Sequence, residues 1–196
     1  DIWLDGRYTN LRLHLGAFAR KIQDYITIAP TALPTRLPLS PPTVFQYVNG
    51  EATFYGLDGS ASVGITEEIT LTGSGSYLYG HDDELDEPAI GVAPLRGSLG
   101  VRYEEEMGRF YVEAIGTAVA EQDRVSLSRN EGLTPGYQLV DLKAGFGLQN
   151  GVTIRGGVMN LFDEFYWDHL NARDPFTTQP VPEPGRVIFV DVAWAF

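Results

Sequence analysis

Three groups of side chains have types and spacing that could do chemistry. The densest is His81-Asp82-Asp83-Glu84-Leu85-Asp86-Glu87. Clustered oxygen ligands suit a hard cation such as calcium, and His81, Asp82, Asp83 and Asp86 are the candidate ligands. The run lacks the spaced pattern of a defined calcium loop, and charge runs commonly form solvated loops, so both readings stay open. The second group is Tyr166, Trp167, His169, Asn171 and Arg173. Aromatic rings and a guanidinium suit recognition of aromatic or anionic chelates, which makes these residues candidates for substrate contact. Packing among neighbouring loops is the other reading. The third is His14, a conceivable copper or iron ligand. With three His, two Met and no Cys in the chain, no soft-metal cluster accompanies it. No G-x-S-x-G, H-E-x-x-H or phosphate-cradling glycine loop is present, so neither an enzyme nor a bound cofactor is expected.

The chain around these residues has 196 residues, 43% of them hydrophobic, with 14 basic against 26 acidic residues and a net charge of -12. Nucleic acid is therefore an unsuitable partner, because no basic footprint exists to neutralise phosphates. The absence of Cys excludes disulfides and thiolate sites and fits an oxidising compartment. No apolar run is long enough for a membrane helix. Residue 1 is Asp, and no leader pattern follows it. The expectation is that a leader was removed or that the chain starts inside a larger protein.

Apolar residues recur with period 2, the strand signature. The alternation marks about nine strands, near 1–4, 11–28, 45–63, 69–80, 94–104, 109–121, 137–147, 152–159 and 185–196. A phase slip between Ala19 and Ile22 predicts a β-bulge there. The connections alternate strictly. Short ones fall near Gly6, Thr66–Glu68, Glu105–Gly108 and Gln149–Gly151; long ones cover 29–44, 81–93, 122–136 and 160–184. In an antiparallel meander this puts every long loop at one end. Outer-membrane barrels have that asymmetry, and a soluble sandwich has no reason for it.

Strand length agrees, since most strands reach the ~9–11 residues of a tilted membrane crossing. If the apolar face meets lipid, the other carries Arg12, His14, Asp58, Arg96, Arg102, Glu113, Asp141, Lys143, Arg155 and Asp191. Arg102 with Glu113 is an expected wall pair. Trp3, Tyr25, Tyr77, Tyr79, Tyr103, Tyr137, Trp194 and Phe196 fit interfacial girdles. Bacterial barrels have even strand counts, so the expected fold is an incomplete one. It is all-β, an antiparallel up-and-down transmembrane β-barrel of which this chain is the C-terminal portion.

Several motifs carry a family resemblance. Gly157-Val158-Met159-Asn160-Leu161-Phe162-Asp163 followed by Tyr166 resembles the penultimate-strand signature of TonB-dependent outer-membrane receptors. Asp168-His169-Leu170-Asn171 leading to Pro184-Gly185-Arg186 resembles the approach to that family's last strand. Leu15 to Tyr25, Asn49 through Gly56-Leu57-Asp58 (with Asp58 where Glu is usual) and Ala93-Pro94-Leu95-Arg96-Gly97 are similar to further elements, in family order. The final Val190, Val192, Trp194 and Phe196 resemble the assembly signal read by the barrel-insertion machinery.

The resemblance implies a barrel of about 22 strands, filled by an N-terminal plug that meets TonB. Residues 1–196 hold neither plug nor TonB box, so they are expected to supply the last ~9 strands as one incomplete domain. In this family Asn160, Leu161, Phe162 and Asp163 are a structural strand-to-loop element, and His14 would face the plug or water. The function implied is TonB-dependent uptake of a scarce solute: a ferric siderophore, another metal chelate or a vitamin. Expected partners are outer-membrane lipid and lipopolysaccharide, TonB through the plug, the assembly machinery, the rest of the barrel, and the ligand. The expected place is the outer membrane, with long loops outside and the C-terminus periplasmic. Two other readings remain open: a small self-contained pore or anchor barrel, and a soluble β-sandwich binding module.

Overall fold

The computed structural model describes residues 1–32, 43–148, 151–174 and 179–194. They form a single antiparallel sheet. Its strands are β1 (Ile2–Arg7), β2 (Leu11–Thr31), β3 (Val44–Gly64), β4 (Ile69–Asp82), β5 (Glu87–Pro88), β6 (Arg96–Glu104), β7 (Phe110–Val119), β8 (Tyr137–Gly147), β9 (Val152–Met159) and β10 (Val187–Trp194). The order is β1-β2-β3-β4-β6-β7-β8-β9-β10, with the two-residue β5 beside β4. Apart from the two-residue β5, each strand pairs with the next along the chain, as consecutive strands of an antiparallel meander do.

β1 and β10 lie at opposite ends of this order. The closure needed for a small self-contained barrel is therefore not made among the described residues, and the sheet is a section of barrel wall. Among the described residues no second sheet covers the apolar face. Ile188 and Val190 are each 74% exposed, where a sandwich module would bury them. Alternation alone could not separate these two cases; the single layer does.

Register puts the apolar residues on one face. Leu71 opposes Val101, which opposes Ala114, which opposes Leu142, which opposes Val158, which opposes Ile188. The other face carries the row His14, Ser60, Ser74, Ser98 and Thr117. The ten expected polar-face residues all fall on this lumen side. Arg102 does stand opposite Glu113. Its Nε instead donates to Glu104 at 2.8 Å, and its guanidinium lies 3.8 Å from the Tyr111 ring centroid. The cross-strand pair is thus displaced by a same-strand carboxylate and a ring.

Tyr55, Tyr77, Tyr79, Tyr103, Phe110, Phe146 and Trp194 border the lipid face. Trp3, Tyr25 and Tyr137 do not belong to the girdles, because their register turns them to the polar face. Phe196 lies outside the described residues. From Ile69, opposite Tyr103, to Tyr79 is ten steps along β4. At ~3.3 Å per residue and a tilt of about 40° this is about 25 Å of height, the height of a barrel's apolar band. The 21-residue β2 and β3 continue past it as a tall ribbon at the long-loop end.

The bulge in β2 is real but sits later than the sequence suggests, between Ile22 and Tyr25. Gln23 and Asp24 there face the single residue Glu51, with Asp24 at φ 55°. Asp tolerates this left-handed conformation better than the β-branched and bulky residues around it. The slip reverses the alternation, so that Tyr25 and Thr27 join the lumen face. That reversal positions Thr27 for the site described next.

Candidate functional site

The small true core lies above the band, where the long connections meet. Its buried residues include Ala89, Val92, Val119, Val125 and Tyr137, together with Asp82, Gln122, Ser126 and Arg129. β4 outruns β6 at this end, since their pairing stops at Ser76 opposite Arg96. The free β4 edge is covered by β5, by the Ala89 N–H donating to the Gly80 carbonyl, and by Arg124 Nη2 donating to the Leu78 carbonyl. The 120–136 connection is drawn in by that edge.

Arg129 is the centre of the arrangement, with a side chain 0% exposed. Its Nη1 donates to Asp82 at 2.7 Å and to Thr27 at 3.0 Å. Nη2 donates to the Pro88 carbonyl at 2.8 Å, and Nε to Ser126 Oγ at 2.7 Å. The other Asp82 oxygen accepts from the backbone N–H groups of Glu84 and Leu85. Glu87 accepts from both hydroxyls of Ser126 and Ser128 and from the Ser128 N–H. Burial works against the Glu87 charge, but these three donors and Arg129 outweigh it and hold its carboxyl below the usual value.

Glu131 joins three segments. One oxygen accepts from the Gly91 N–H and His169 Nε2, and the other from the Ser126 N–H. Here too burial disfavours the charge, while His169 and the two N–H groups prevail and lower the pKa. A carboxylate can only accept, so His169 Nε2 carries the proton in this bond. Nδ1 lies 2.9 Å from the Thr134 hydroxyl.

The acidic run is thus divided among different partners. Asp82 and Glu87 bind Arg129 and the serines. Asp83 accepts from Thr53 and lies 3.8 Å from Lys21, and Asp86 pairs with His81 at 3.3 Å. Among the described residues no group of three or more His, Asp or Glu has metal-holding geometry. His14 bridges Asp5 and Asp58 at 2.7 and 3.3 Å through opposite ring nitrogens, which do not converge on one point.

The connection from β9 to β10 starts with a built turn. Asn160, at φ 50°, is 4% exposed and exchanges two hydrogen bonds with the Glu164 backbone. Its own N–H donates to Asp141 on the barrel wall, and the Leu161 N–H to the Val140 carbonyl. Asp163, at φ 59°, accepts the Arg186 N–H, which clamps the loop's two ends together. Phe162 points out, 73% exposed.

The five candidate contact residues share this loop but not one surface. His169 is spent on Glu131 and Thr134, with a side chain 2% exposed. Tyr166 packs on Tyr137 with ring centroids 4.4 Å apart. Asn171 donates to the Val181 carbonyl and Glu183. Trp167 is half-buried, edge-on to the exposed Phe165, and Arg173 is exposed. Sequence reasoning missed Arg129, Glu131, Ser126 and Gln122. They sit in a connection without periodicity, and no local spacing links them to residues up to 102 positions away.

The TonB dependent receptor-like β-barrel family model matches residues 2–161. The chain belongs to this family. Ferric enterobactin receptor PirA of Pseudomonas aeruginosa is 24% identical over 162 residues, 78% of this chain and 22% of that protein. Among solved structures, the copper transporter OprC superposes with a TM-score of 0.87 at 23% identity, covering 99% of this chain and 30% of that one. The ferripyoverdine receptor of the Pseudomonas aeruginosa outer membrane gives 0.70 at 19% identity, covering 98% and 26%. At such identities the solved structures speak for the fold alone. The chain spans between 22% and 30% of the length of PirA and OprC. Membership explains the architecture: an apolar band facing lipid, a polar lumen face, and a loop cluster above it.

Proposed function

We propose that this chain forms wall and outer loops of a receptor that takes up a scarce solute across the outer membrane, driven by TonB through a plug. The carrying observation is the family match over 2–161 on a sheet with a lipid face and a polar lumen face. Relatives named for ferric enterobactin and copper support a metal or metal chelate as the solute. Loops outside, the C-terminus in the periplasm, lipopolysaccharide around the band, and last-strand recognition through Val190, Val192 and Trp194 complete the reading.

Within the β9–β10 loop we assign solute contact to Trp167 and Arg173. A guanidinium and an indole on one loop suit an anionic or aromatic chelate. Tyr166, His169 and Asn171 hold the loop that presents them. The test is accumulation of radiolabelled ferric enterobactin and of copper by cells expressing the intact receptor, with and without TonB. Accumulation of either probe that depends on both receptor and TonB supports the proposal. Equal accumulation without TonB overturns it. Arg173→Ala and Trp167→Ala should weaken binding of the transported probe while leaving receptor abundance unchanged.

A further inference from the structure

The β4–β6, β7–β8 and β9–β10 connections could each be imagined as a separate flap over the barrel mouth. The polar core between them points elsewhere. We propose that the three connections are one keyed body, locked to the barrel rim by Arg129, so that this side of the mouth is a fixed wall and not a moving lid.

Opening this side of the mouth would break a set of buried bonds. Arg129 belongs to the β7–β8 connection, yet its partners are Thr27 on β2, Asp82 on β4, the Pro88 carbonyl on β5 and Ser126 of its own connection. Arg129 and Asp82 are 0% and 1% exposed. Lifting the connection would pull a guanidinium from a dry socket and leave a carboxylate behind without its counter-charge, a strongly unfavourable state. The other two connections are tied to the same body. Gly91 and His169, one from each, both donate to Glu131. Gln122 donates to the Val92 carbonyl, and its backbone pairs with Thr134 in both directions. Tyr137 at the root of β8 donates to Asp168.

No member is left half-satisfied. Among the described residues the buried side-chain atom without a partner is Arg109 Nε, at the opposite end of the sheet. A fully paired buried network rigidifies what it joins. It follows that closure over a captured solute would come from connections outside this group.

Hydrogen exchange on the intact detergent-solubilised receptor tests it. In the unaltered protein, backbone amides of 83–95 and 120–136 should exchange slowly and in concert. Arg129→Met should speed exchange across both segments and in 160–174 together, on the order of tenfold or more, while the mid-strand amides of β6 and β7 stay protected. Fast exchange of these connections in the unaltered receptor overturns the proposal. So does a change in Arg129→Met confined to peptides around residue 129.

A second measurement does not depend on that variant folding. Nitroxide labels at Leu127→Cys and Leu170→Cys, both exposed and outside the network, report the distance between two connections. One narrow distance distribution supports a single body. A broad or two-peaked distribution overturns it.

Discussion

Leu99→Arg tests the lipid face at its most sensitive point. Leu99 lies four residues above Tyr103 on β6, about 10 Å of height at a 40° tilt, close to the middle of a ~25 Å band. Glycines flank it across both neighbours, Gly73 on β4 and Gly116 on β7, so nothing shields it and it is 75% exposed. A cation on the lipid face at this depth costs about 2–4 kcal/mol, roughly 30- to 1000-fold in the folding equilibrium. Ser98→Arg, one residue away, is the control. Ser98 faces the lumen, with its hydroxyl 2.8 Å from Ser74, so Arg there meets polar surroundings and should cost little. Tyr103→Arg at the girdle of the short-turn end should cost about 0–1 kcal/mol. Urea unfolding of the three intact receptor variants in phospholipid vesicles, followed by tryptophan fluorescence, gives the comparison. A Ser98→Arg penalty equal to or above that of Leu99→Arg would refute the assignment of faces.

Asn160→Ala should destabilise by about 2–5 kcal/mol in the same assay. Two backbone hydrogen bonds at about 0.5–1.5 kcal/mol each disappear, and Ala is strained at φ 50° by about 1–2 kcal/mol. Gly157→Ala should cost about 1–3 kcal/mol, because an added Cβ would stand 2.5 Å from the Leu142 carbonyl oxygen, on backbone that cannot swing aside. Acid should loosen the loop cluster before the barrel. Glu131 and Glu87 have lowered pKa values in the folded state, so their stabilisation is present above the ordinary carboxylate value and lost as pH falls through the folded one. Glu131→Gln should flatten that dependence, read as amide exchange of 120–136 against pH.

Much of this protein is written locally. Alternation in runs such as Val187–Trp194 and Val152–Met159 determines strands, because side chains on a strand take opposite faces by turns. The alternation of tight turns and long connections determines the meander and the end at which the loops collect. Within the Gly157–Asp163 motif the two bonds that close the turn run between Asn160 and Glu164, four residues apart, so the turn itself is contiguous in the chain, while its ties to Asp141 and Arg186 are tertiary.

Tertiary structure decided the rest, because it concerns partners far apart in sequence. The bulge at Gln23–Asp24 falls where β2 must reverse its faces, and nothing near it announces that Thr27 will meet Arg129. His169 looks like a ligand-seeking residue in isolation. It becomes a buried strut only when Glu131 and Thr134 are folded beside it. Asp82 sits in the middle of an acidic run that reads as solvated, and is 1% exposed because one cation from 47 residues away occupies the space above it. Local sequence sets backbone conformation and facing. Which charges neutralise one another is set by the sheet's register and the loops it gathers, and those are properties of the assembled wall.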